Sequence, residues 1–276
     1  MPSSDATRIS DSGGPPRLAV VVPALDEAER LPALLASLGW TTAARRPGDD
    51  VPDALVVADG GSRDATVAIA RAHGASVVTA PTGRGSQLAA GARAVPSDAA
   101  GPRDVLLFLH ADARVAPGAV ARVRAAFRDE AVAAAGLRQR IDADGWFYRS
   151  VERAADRRVR RGRIYGDSGL AVRRSTYERI GGFADLPIFE DLELSRRLRA
   201  SLGAGERVRW IDDAEVVVSA RRWQAEGPLR RTFANWALTA LWRMGVPPAR
   251  LARFYRASAR RRSAPENVEL RQEGAA

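Results

Sequence analysis

The sequence predicts an α/β fold, with a mostly parallel sheet and helices on both of its faces. Apolar runs of four or five residues alternate with segments whose apolar residues recur at helical spacing, which is the order of βαβ units. Glycine, acidic or basic residues follow each apolar run rather than precede it. Since the carboxyl ends of parallel strands share one edge of a sheet, these polar residues are expected to line one crevice.

Four strands are predicted in the first half of the chain, at residues 18–22, 54–58, 76–79 and 105–109. Proline cannot donate a ladder hydrogen bond, so Pro23 is expected to end the first strand. Asp26 and Glu27 are expected to open the first helix, whose leucines follow helical spacing. Further helices are predicted after the later strands, and a fifth strand and a long helix are predicted at 131–140 and 146–163.

The net charge of +10 comes entirely from the second half of the chain. Residues 1–138 hold 15 arginines and 15 acidic residues, whereas residues 139–276 hold 28 arginines and 18 acidic residues. Every basic residue is arginine, which indicates a composition bias, and no nucleic-acid recognition motif accompanies the charge. We therefore expect no nucleic-acid partner. The basic half suits phosphates, an anionic lipid surface or an acidic substrate.

The composition also limits the compartment and the cofactor. The chain has no cysteine, which favours a reducing compartment, and we expect a cytoplasmic protein. The sequence has no apolar run of 18 residues and no hydrophobic signal segment at its start, so neither a membrane span nor secretion is expected. No G-x-G-x-x-G pattern follows the first strand, which argues against a nicotinamide dehydrogenase.

The stretch VLLFLHADAR, at residues 105–114, is the central motif. Its five apolar residues predict a strand buried on both faces, and Asp112 follows the end of that strand. A carboxylate in this position can hold a hard divalent cation against phosphate oxygens. A helix cap is the alternative, but four residues separate Asp112 from Pro117, whereas a cap normally adjoins the first helical turn.

A series of motifs between residues 18 and 223 resembles glycosyltransferase family 2. The motifs are PALDE at 23–27, ADGGSRDAT at 58–66, the Gly-Arg loop at 83–85, FLHAD at 108–112, YGDSGLAVRRSTYERIGGF at 165–183, FEDLELSRRL at 189–198 and ARRW at 220–223. The resemblance implies the GT-A fold and is closest to a compact subgroup with His-Ala-Asp in place of Asp-x-Asp. It implies an inverting transferase that moves one sugar from a nucleotide-sugar, expected to be a UDP-sugar, to a small or lipid-like acceptor.

The resemblance also implies a donor site. The matching residues are Pro23, Asp26, Glu27, Asp59, Gly60, Arg84, Ala111 and Arg222. In similar enzymes the acids of the first two loops hold the base and ribose, and the basic residue of the third loop faces the diphosphate. The planar guanidinium of Arg84 suits phosphate oxygens. For Asp26 and Glu27, a charge that stabilises a helix N-terminus is the alternative interpretation. Asp64 is predicted to start the second helix rather than contact a ligand.

A divalent metal, Mn²⁺ or Mg²⁺, is implied by the same resemblance. Asp112 matches the metal-coordinating acid of the family, and His110 stands in place of the other acid of the motif. Both are therefore candidate metal ligands. Neutral imidazole suits Mn²⁺ better than Mg²⁺. A histidine that only satisfies hydrogen bonds at the end of a strand is the alternative interpretation of His110.

The second half is expected to bind the acceptor and supply the base. In the family, the Asp of the Glu-Asp pair removes the acceptor proton, which assigns catalysis to Asp191 with Glu190 beside it. Two acids at a helix N-terminus are the alternative. Asp167 and Trp223 are acceptor candidates, although a turn alone would explain Asp167. Ser219 replaces the Gln of the Gln-x-x-Arg-Trp motif of processive synthases, so we expect transfer of a single sugar.

The predicted organisation is a transferase domain at residues 17–227 with short flanking segments. Residues 17–138 form its nucleotide-binding half and residues 139–227 its acceptor half. A disordered lead-in at 1–16, a helical segment at 228–262 and a disordered tail at 263–276 complete the chain. Residues 230–243 place aromatic and aliphatic side chains between arginines. They predict either an interfacial helix on an anionic membrane surface or a helix packed on the catalytic domain. A non-catalytic nucleotide-sugar or anion-binding module on the same fold is the alternative function.

Overall fold

The computed structural model describes residues 16–41, 50–96 and 103–253. The predicted tail and all but the last residue of the predicted lead-in lie outside the described residues. The strands are β1 (Leu18–Ala24), β2 (Ala54–Asp59), β3 (Ser76–Thr79), β4 (Val105–Phe108), β5 (Arg114–Val115), β6 (Val132–Ile141), β7 (Leu170–Arg173) and β8 (Arg207–Val218). The helices are α1 (Leu31–Ser37), α2 (Thr66–Ala72), α3 (Arg84–Arg93), α4 (Ala119–Ala126), α5 (Trp146–Arg160), α6 (Arg174–Arg179), α7 (Glu190–Ser201), α8 (Arg221–Glu226) and α9 (Pro228–Arg243).

One eight-stranded sheet runs through both predicted halves, in the order β3-β2-β1-β4-β7-β6-β8-β5. The first four strands in that order pair in parallel, as the βαβ alternation predicts. β7 is antiparallel to both β4 and β6, while β6 and β8 are parallel. The predicted α/β class with a mostly parallel sheet is therefore confirmed, and β7 joins the two halves into one sheet.

The centre of the sheet is buried on both faces, where β1 and β4 are apolar at every position. Leu18, Val20 and Val22 pack on one face with α1, whereas Ala19 and Val21 pack on the other with α3. Consecutive residues of a strand point to opposite faces, so a strand without polar residues needs cover on both sides. Because α1 and α3 cover the two faces of β1, the strand and the loop that follows it are held in place between them.

Two predicted boundaries near the first loop are wrong. Pro23 does not end β1, which continues to Ala24 with Pro23 beside Ala58 of β2. Leu109 donates its backbone N–H to the carbonyl of Val21 on the β4 side, so Pro23, two residues later, has its nitrogen on that side too, beyond the last paired residue of β4. The missing N–H therefore removes no ladder bond.

Asp26 and Glu27 do not open α1, which begins at Leu31. Asp26 has a φ of 53°, which is unusual for a residue other than glycine and turns the chain away from a helical path. Its backbone N–H donates to Ser62 Oγ at 3.0 Å, and its Oδ1 accepts the N–H of Arg63 at 2.7 Å. Contacts with the loop after β2 therefore replace the local helix start that the sequence predicts.

Gln87 of α3 ties the ends of β1 and β2 together. Its side chain is 3% exposed, and its Nε2 donates to the carbonyls of Ala24 at 2.8 Å and Ala58 at 2.9 Å. Its Oε1 accepts the N–H of Gly83 at 3.4 Å. One buried amide thus fixes the loops after β1 and β2 and the start of α3 relative to one another.

Replacing this amide is expected to destabilise the fold. Gln87→Leu keeps a similar volume but removes two hydrogen bonds from buried carbonyls, so the free energy of unfolding should fall by about 1–3 kcal/mol. Denaturant titration measures this loss. Gln224→Leu, on the exposed side of α8, is the matched control and should change stability little. Equal stability of the two variants would contradict a structural role for Gln87.

Candidate active site

The loops after β1 and β2 are locked together at the carboxyl edge of the sheet. Asp59 is 4% exposed, and its carboxylate accepts the backbone N–H groups of Gly61 at 3.0 Å and Ser62 at 3.2 Å. Gly60 donates its N–H to the carbonyl of Ala24 at 2.9 Å. The predicted donor residues Asp26, Asp59 and Gly60 are therefore brought together.

Asp64 has the helix-starting role that the sequence predicts. Its Oδ1 accepts the N–H of Thr66, the first residue of α2, at 2.9 Å, and its Oδ2 accepts the N–H of Ala28 at 3.0 Å. The bond from the Thr66 hydroxyl is the main cause that lowers the pKa of Asp64 below its usual value. Asp64 thus links the first two loops without being a ligand candidate.

A buried ion pair joins the two halves of the sheet at this edge. Arg84, the first residue of α3, places its Nε 2.8 Å from Oε1 of Glu190, the first residue of α7. The side chain of Glu190 is 1% exposed, and its other oxygen has no hydrogen-bond partner among the described residues. Burial raises the pKa of Glu190 to about 7, because desolvation outweighs the attraction of Arg84, and the charge of Asp191 adds to the rise.

Gly85 allows this pair to form. A side chain at residue 85 would collide with the carbonyl oxygen of Ala184, so only glycine lets the start of α3 approach the segment before α7 so closely. Ser86 and Asp185 are hydrogen-bonded across the same junction. The Arg84 loop and the predicted base are therefore held together by backbone packing as well as by charge.

Asp191, the predicted base, is oriented by a backbone donor. Its Oδ2 accepts the N–H of Gly166 at 2.9 Å, and its Oδ1 accepts the N–H of Leu192 at 2.8 Å. A methyl group built on Gly166 would lie 2.9 Å from Nε2 of His110 and 3.5 Å from Oδ2 of Asp191. Gly166 is thus the point at which the histidine of the β4 loop and the acid of α7 meet.

His110 is held as the neutral imidazole. Burial and the nearby charge of Arg84 lower its pKa, while the carboxylates of Asp112, Asp191 and Asp167 oppose that shift. A neutral ring keeps one nitrogen as an acceptor or ligand. Pro23, Ala111 and His110 are all wholly or partly buried at the end of the central strands.

Asp112 is paired with an arginine from the end of the domain. Nη2 of Arg221 lies 3.0 Å from Oδ2 of Asp112 and 2.8 Å from Oε1 of Glu27. Arg222, the predicted donor residue, is exposed. Arg221, the first residue of α8, is therefore the arginine that contacts both acids.

The predicted metal ligands do not form a metal cage by themselves. No group of three or more His, Asp or Glu residues among the described residues is arranged to hold a metal ion. A lone carboxylate is nevertheless compatible with a metal that arrives bound to phosphates, because Mg²⁺-type sites commonly use one or two carboxylates, substrate oxygens and water. The residues present therefore fit a metal–diphosphate complex with Asp112 as its protein ligand.

The two acceptor candidates, Asp167 and Trp223, contact different residues. Oδ1 of Asp167 accepts from Arg158 at 2.6 Å, and the guanidinium of Arg158 also lies over the ring of Tyr165, 4.1 Å from its centroid. Trp223 is half-buried, and its ring meets Tyr148 edge to face with centroids 6.4 Å apart. The indole N–H of Trp223 has no partner among the described residues.

Three residues of the site escaped the sequence analysis: Gln87, Gly166 and Arg221. Gln87 bonds through its side-chain amide to backbone groups, and Gly166 bonds through its own backbone N–H, and no motif assigns a role to such contacts. Arg221 is adjacent to the arginine that the motif singles out, and only the helix phase distinguishes the two. These residues orient the loops that carry the predicted acids.

The raised pKa of Glu190 predicts how stability depends on pH. In the folded protein this carboxyl binds its proton more tightly than in the unfolded chain, so its contribution to stability is complete below its usual pKa and is lost as the pH rises through about 7. Glu190→Gln stays uncharged and should lose less stability than the wild type between about pH 5 and about pH 8.

Thermal unfolding at several pH values measures this difference. Glu29→Gln is the control, because the side chain of Glu29 is 84% exposed and its charge is screened by water. That variant should follow the wild type across the range. A Glu190→Gln profile parallel to the wild type would show that Glu190 is ionised throughout and would contradict the raised pKa.

The chain matches the model of one protein family. Residues 19–184 match Glycosyl transferase family 2. None of the curated proteins compared with the chain matches it.

Solved glycosyltransferase structures resemble the fold. TarS 1-349 of S. aureus has a TM-score of 0.57 at 14% identity over 74% of this chain and 60% of its own length. The mannosyltransferase PcManGT from Pyrobaculum calidifontis, in complex with GDP-Man and Mn²⁺, has a TM-score of 0.57 at 20% identity over 89% of this chain and 70% of its own. TarS 1-349 in complex with UDP-GlcNAc has a TM-score of 0.52 at 15% identity over 74% and 58%. The chain thus spans about 60% of the length of TarS 1-349.

Proposed function

The chain belongs to glycosyl transferase family 2 and has the GT-A fold, and from this premise we propose that it is an inverting transferase that moves a single sugar from a nucleotide-sugar to a small or amphiphilic acceptor. The observation that carries the proposal is that His110 and Asp191 both approach Gly166. His110 is two residues from Asp112 in the chain. A candidate base and a candidate metal acid thereby converge on one crevice.

The donor is proposed to bind along the loops after β1, β2 and β4. In this proposal, Asp26 and Asp59 bind the nucleobase and the ribose of the donor. Arg84 supplies positive charge to the diphosphate. The motifs favour a UDP-sugar. Among the structural relatives, one TarS structure is a complex with UDP-GlcNAc and PcManGT is a complex with GDP-Man, so both nucleotides belong in any donor panel.

A divalent metal is proposed to bind with the donor, held by Asp112. When bound, such an ion neutralises the charge that develops on the departing diphosphate. His110 lies at the same loop and contributes a neutral ring nitrogen. The guanidinium of Arg221 already carries positive charge at the Asp112 carboxylate, 3.0 Å away, so it shares that carboxylate with any bound cation.

The transfer step is assigned to Asp191. Its Oδ2 accepts the proton of an acceptor hydroxyl while the hydroxyl oxygen attacks the anomeric carbon of the donor sugar. The bond between that carbon and the diphosphate oxygen breaks, and its electron pair leaves with the nucleoside diphosphate. A single displacement inverts the anomeric centre. The N–H of Gly166 fixes the orientation of the carboxylate before the proton moves.

The metal assignment predicts the behaviour of Asp112→Asn. This variant should bind nucleotide-sugar no more tightly with Mn²⁺ than without it, because the neutral amide is a poor ligand for a hard cation. Calorimetric titration of UDP-GlcNAc and GDP-mannose, with and without Mn²⁺, measures the effect in wild type and variant. Asp213→Asn, at an exposed position of β8, is the control and should behave as the wild type. Metal-dependent binding that survives in Asp112→Asn would remove Asp112 from the metal site.

The base assignment predicts a loss of turnover in Asp191→Asn. Asparagine can still accept the Gly166 N–H but cannot take a proton, so turnover should fall by ~10²–10⁴-fold while donor binding is kept. If Asp191 only stabilised the helix N-terminus, stability would fall by ~0.3–1 kcal/mol and turnover would hardly change. Glu193→Gln, in the same first turn of α7, removes a helix-terminal charge together with the ion pair to Arg197 but keeps the base, so its turnover should be unchanged even if its stability falls.

The acceptor is proposed to be met at an anionic membrane surface on the cytoplasmic side. α9 leaves an apolar stripe exposed, formed by Leu229, Phe233, Trp236 and Met244, which are each 71–72% exposed. Its other face packs on the domain through Leu238 and Trp242. The packed face of α9 fits the interpretation of a helix packed on the domain, and we propose that the exposed stripe is the part that meets the membrane. No helix within the described ranges has the length and hydrophobicity required to cross a bilayer.

Vesicle flotation tests the role of the stripe. The wild type should float with phosphatidylglycerol vesicles at low salt and dissociate at high salt, because arginines near an anionic surface each contribute about 1 kcal/mol that salt screens. Replacing both Phe233 and Trp236 by serine should abolish flotation while leaving donor binding intact. Equal flotation of the variant and the wild type, or no flotation of the wild type, would contradict membrane binding by the stripe and would indicate an acceptor that is not met at a membrane.

One observation favours the alternative, a non-catalytic module that binds nucleotide-sugars. Arg221 occupies the carboxylate of Asp112, as it would in a site that has no need of a metal. Release of nucleoside diphosphate by the wild type decides between the two functions. A wild type that binds donor without ever releasing nucleoside diphosphate would support the module.

A further inference from the structure

A second cleft opens beside the predicted base, with a volume of about 570 Å³. This volume lies in the range of sites that take small organic ligands. None of its lining residues belongs to the loops after β1, β2 or β4, which hold the predicted donor and metal residues. The cleft is therefore a separate space from the proposed donor site.

The cleft is built from three segments of the chain. One face of α7 forms its floor, because its lining residues recur at the helical spacing i, i+3, i+4 and i+7. The segment before the Gly166 turn and the end of α9 form its walls. The lining residues are Arg163, Tyr165, Leu192, Ser195, Arg196, Arg199, Trp242 and Arg243.

The cleft concentrates positive charge without matching negative charge. Four arginines line it, and no described carboxylate does. Arg163, Arg199 and Arg243 form no ion pair within the described part of the chain. Arg196 lies 3.5 Å from Glu193, but that carboxylate is bound more closely by Arg197, at 2.6 Å. Guanidinium groups that face one space repel one another, and an anion between them relieves that repulsion.

The cleft also has apolar walls. The ring of Trp242 stacks on Phe189, with centroids 5.2 Å apart and planes 18° apart, and Leu192 and Tyr165 add further apolar surface. Phe189 has a φ of 66° and immediately precedes Glu190, so the wall is continuous with the turn that begins the catalytic helix. A ligand of this cleft needs an apolar part as well as a negative charge.

The position of the cleft relates it to the transfer step. Leu192 follows Asp191 in the chain, and Tyr165 precedes Gly166, whose N–H is hydrogen-bonded to Asp191. Asp191 itself is not among the lining residues, but the cleft borders both segments that hold its carboxylate, the start of α7 and the Gly166 turn. The planar fork of arginine matches the oxygens of phosphate and carboxylate groups.

We propose that this cleft binds the acceptor, and that the acceptor is an amphiphilic anion with a phosphate or carboxylate group held by Arg163, Arg199 and Arg243. The anionic group anchors the molecule in the cleft, the apolar part lies along Trp242, and the hydroxyl that receives the sugar points to Asp191. This inference rests on the proposed transferase function and specifies its substrate class.

Binding of phenyl phosphate to the full chain without donor tests the inference. The double variant Arg163→Gln/Arg199→Gln should bind phenyl phosphate at least about tenfold more weakly than the wild type, because each of the two substitutions removes a charge-assisted hydrogen bond to the phosphate. The control Arg153→Gln/Arg157→Gln removes the same charge from exposed positions of α5 outside the cleft and should bind as the wild type. Benzyl alcohol, which lacks the charge, should bind to none of them.

Equal affinities in the two double variants, or no binding to the wild type, would overturn the inference. Donor titration on the same proteins keeps this failure distinct from failure of the transferase proposal, because the donor residues are unchanged in both variants. Vesicles with and without phosphatidic acid identify the source of the anion. A lipid acceptor predicts that flotation with phosphatidic acid weakens in the cleft variant, whereas a water-soluble acceptor predicts phenyl phosphate binding with no dependence on phosphatidic acid.

Discussion

The buried ion pair between Arg84 and Glu190 is the contact on which the site depends. It joins the first residue of α3, which precedes β4, to the first residue of α7, which follows β7 and lies next to Asp191 in the chain. The side chain of Glu190 is 1% exposed and that of Arg84 is 34% exposed, so losing Arg84 would leave the buried carboxyl of Glu190 without its partner. The pair thereby links the positions of Arg84 and Asp191, and the pKa of Glu190, raised to about 7, reflects burial that outweighs the attraction of Arg84.

Arg221 provides a second link between distant segments. It bridges Glu27 of the first loop and Asp112 of the β4 loop, although it lies at the start of α8, after the last long strand. The sheet edge that gathers the acids would repel itself without a cation. In the protein without ligand, Arg221 supplies positive charge to these acids. A bound metal–diphosphate complex would supply part of that positive charge instead. Helix α8 thus contributes a charge to the crevice, and α9 stacks Trp242 on Phe189, the residue before Glu190.

The sequence predicts the parallel strands and the loops that carry the site, because apolar runs of about five residues between turn signals are typical of strands buried on both faces. It fails where contacts between loops override local preference. Asp26 bonds to the loop after β2 instead of starting a helix, and Pro23 continues a strand whose neighbour has ended. β8 escaped prediction because charged residues interrupt its apolar pattern, and it is held by pairing with β6. The convergence of Asp112, His110 and Asp191 follows from the motifs, whereas Gln87, Gly166 and Arg221 emerge only from the packing.

The central claim is that the crevice between Asp112 and Asp191 activates a nucleotide-sugar. Release of nucleoside diphosphate from a panel of UDP-, GDP- and dTDP-sugars, with and without Mn²⁺, tests it most directly. The account predicts release from one nucleotide class, stimulated by Mn²⁺. No release and no metal-dependent binding with any donor would contradict it.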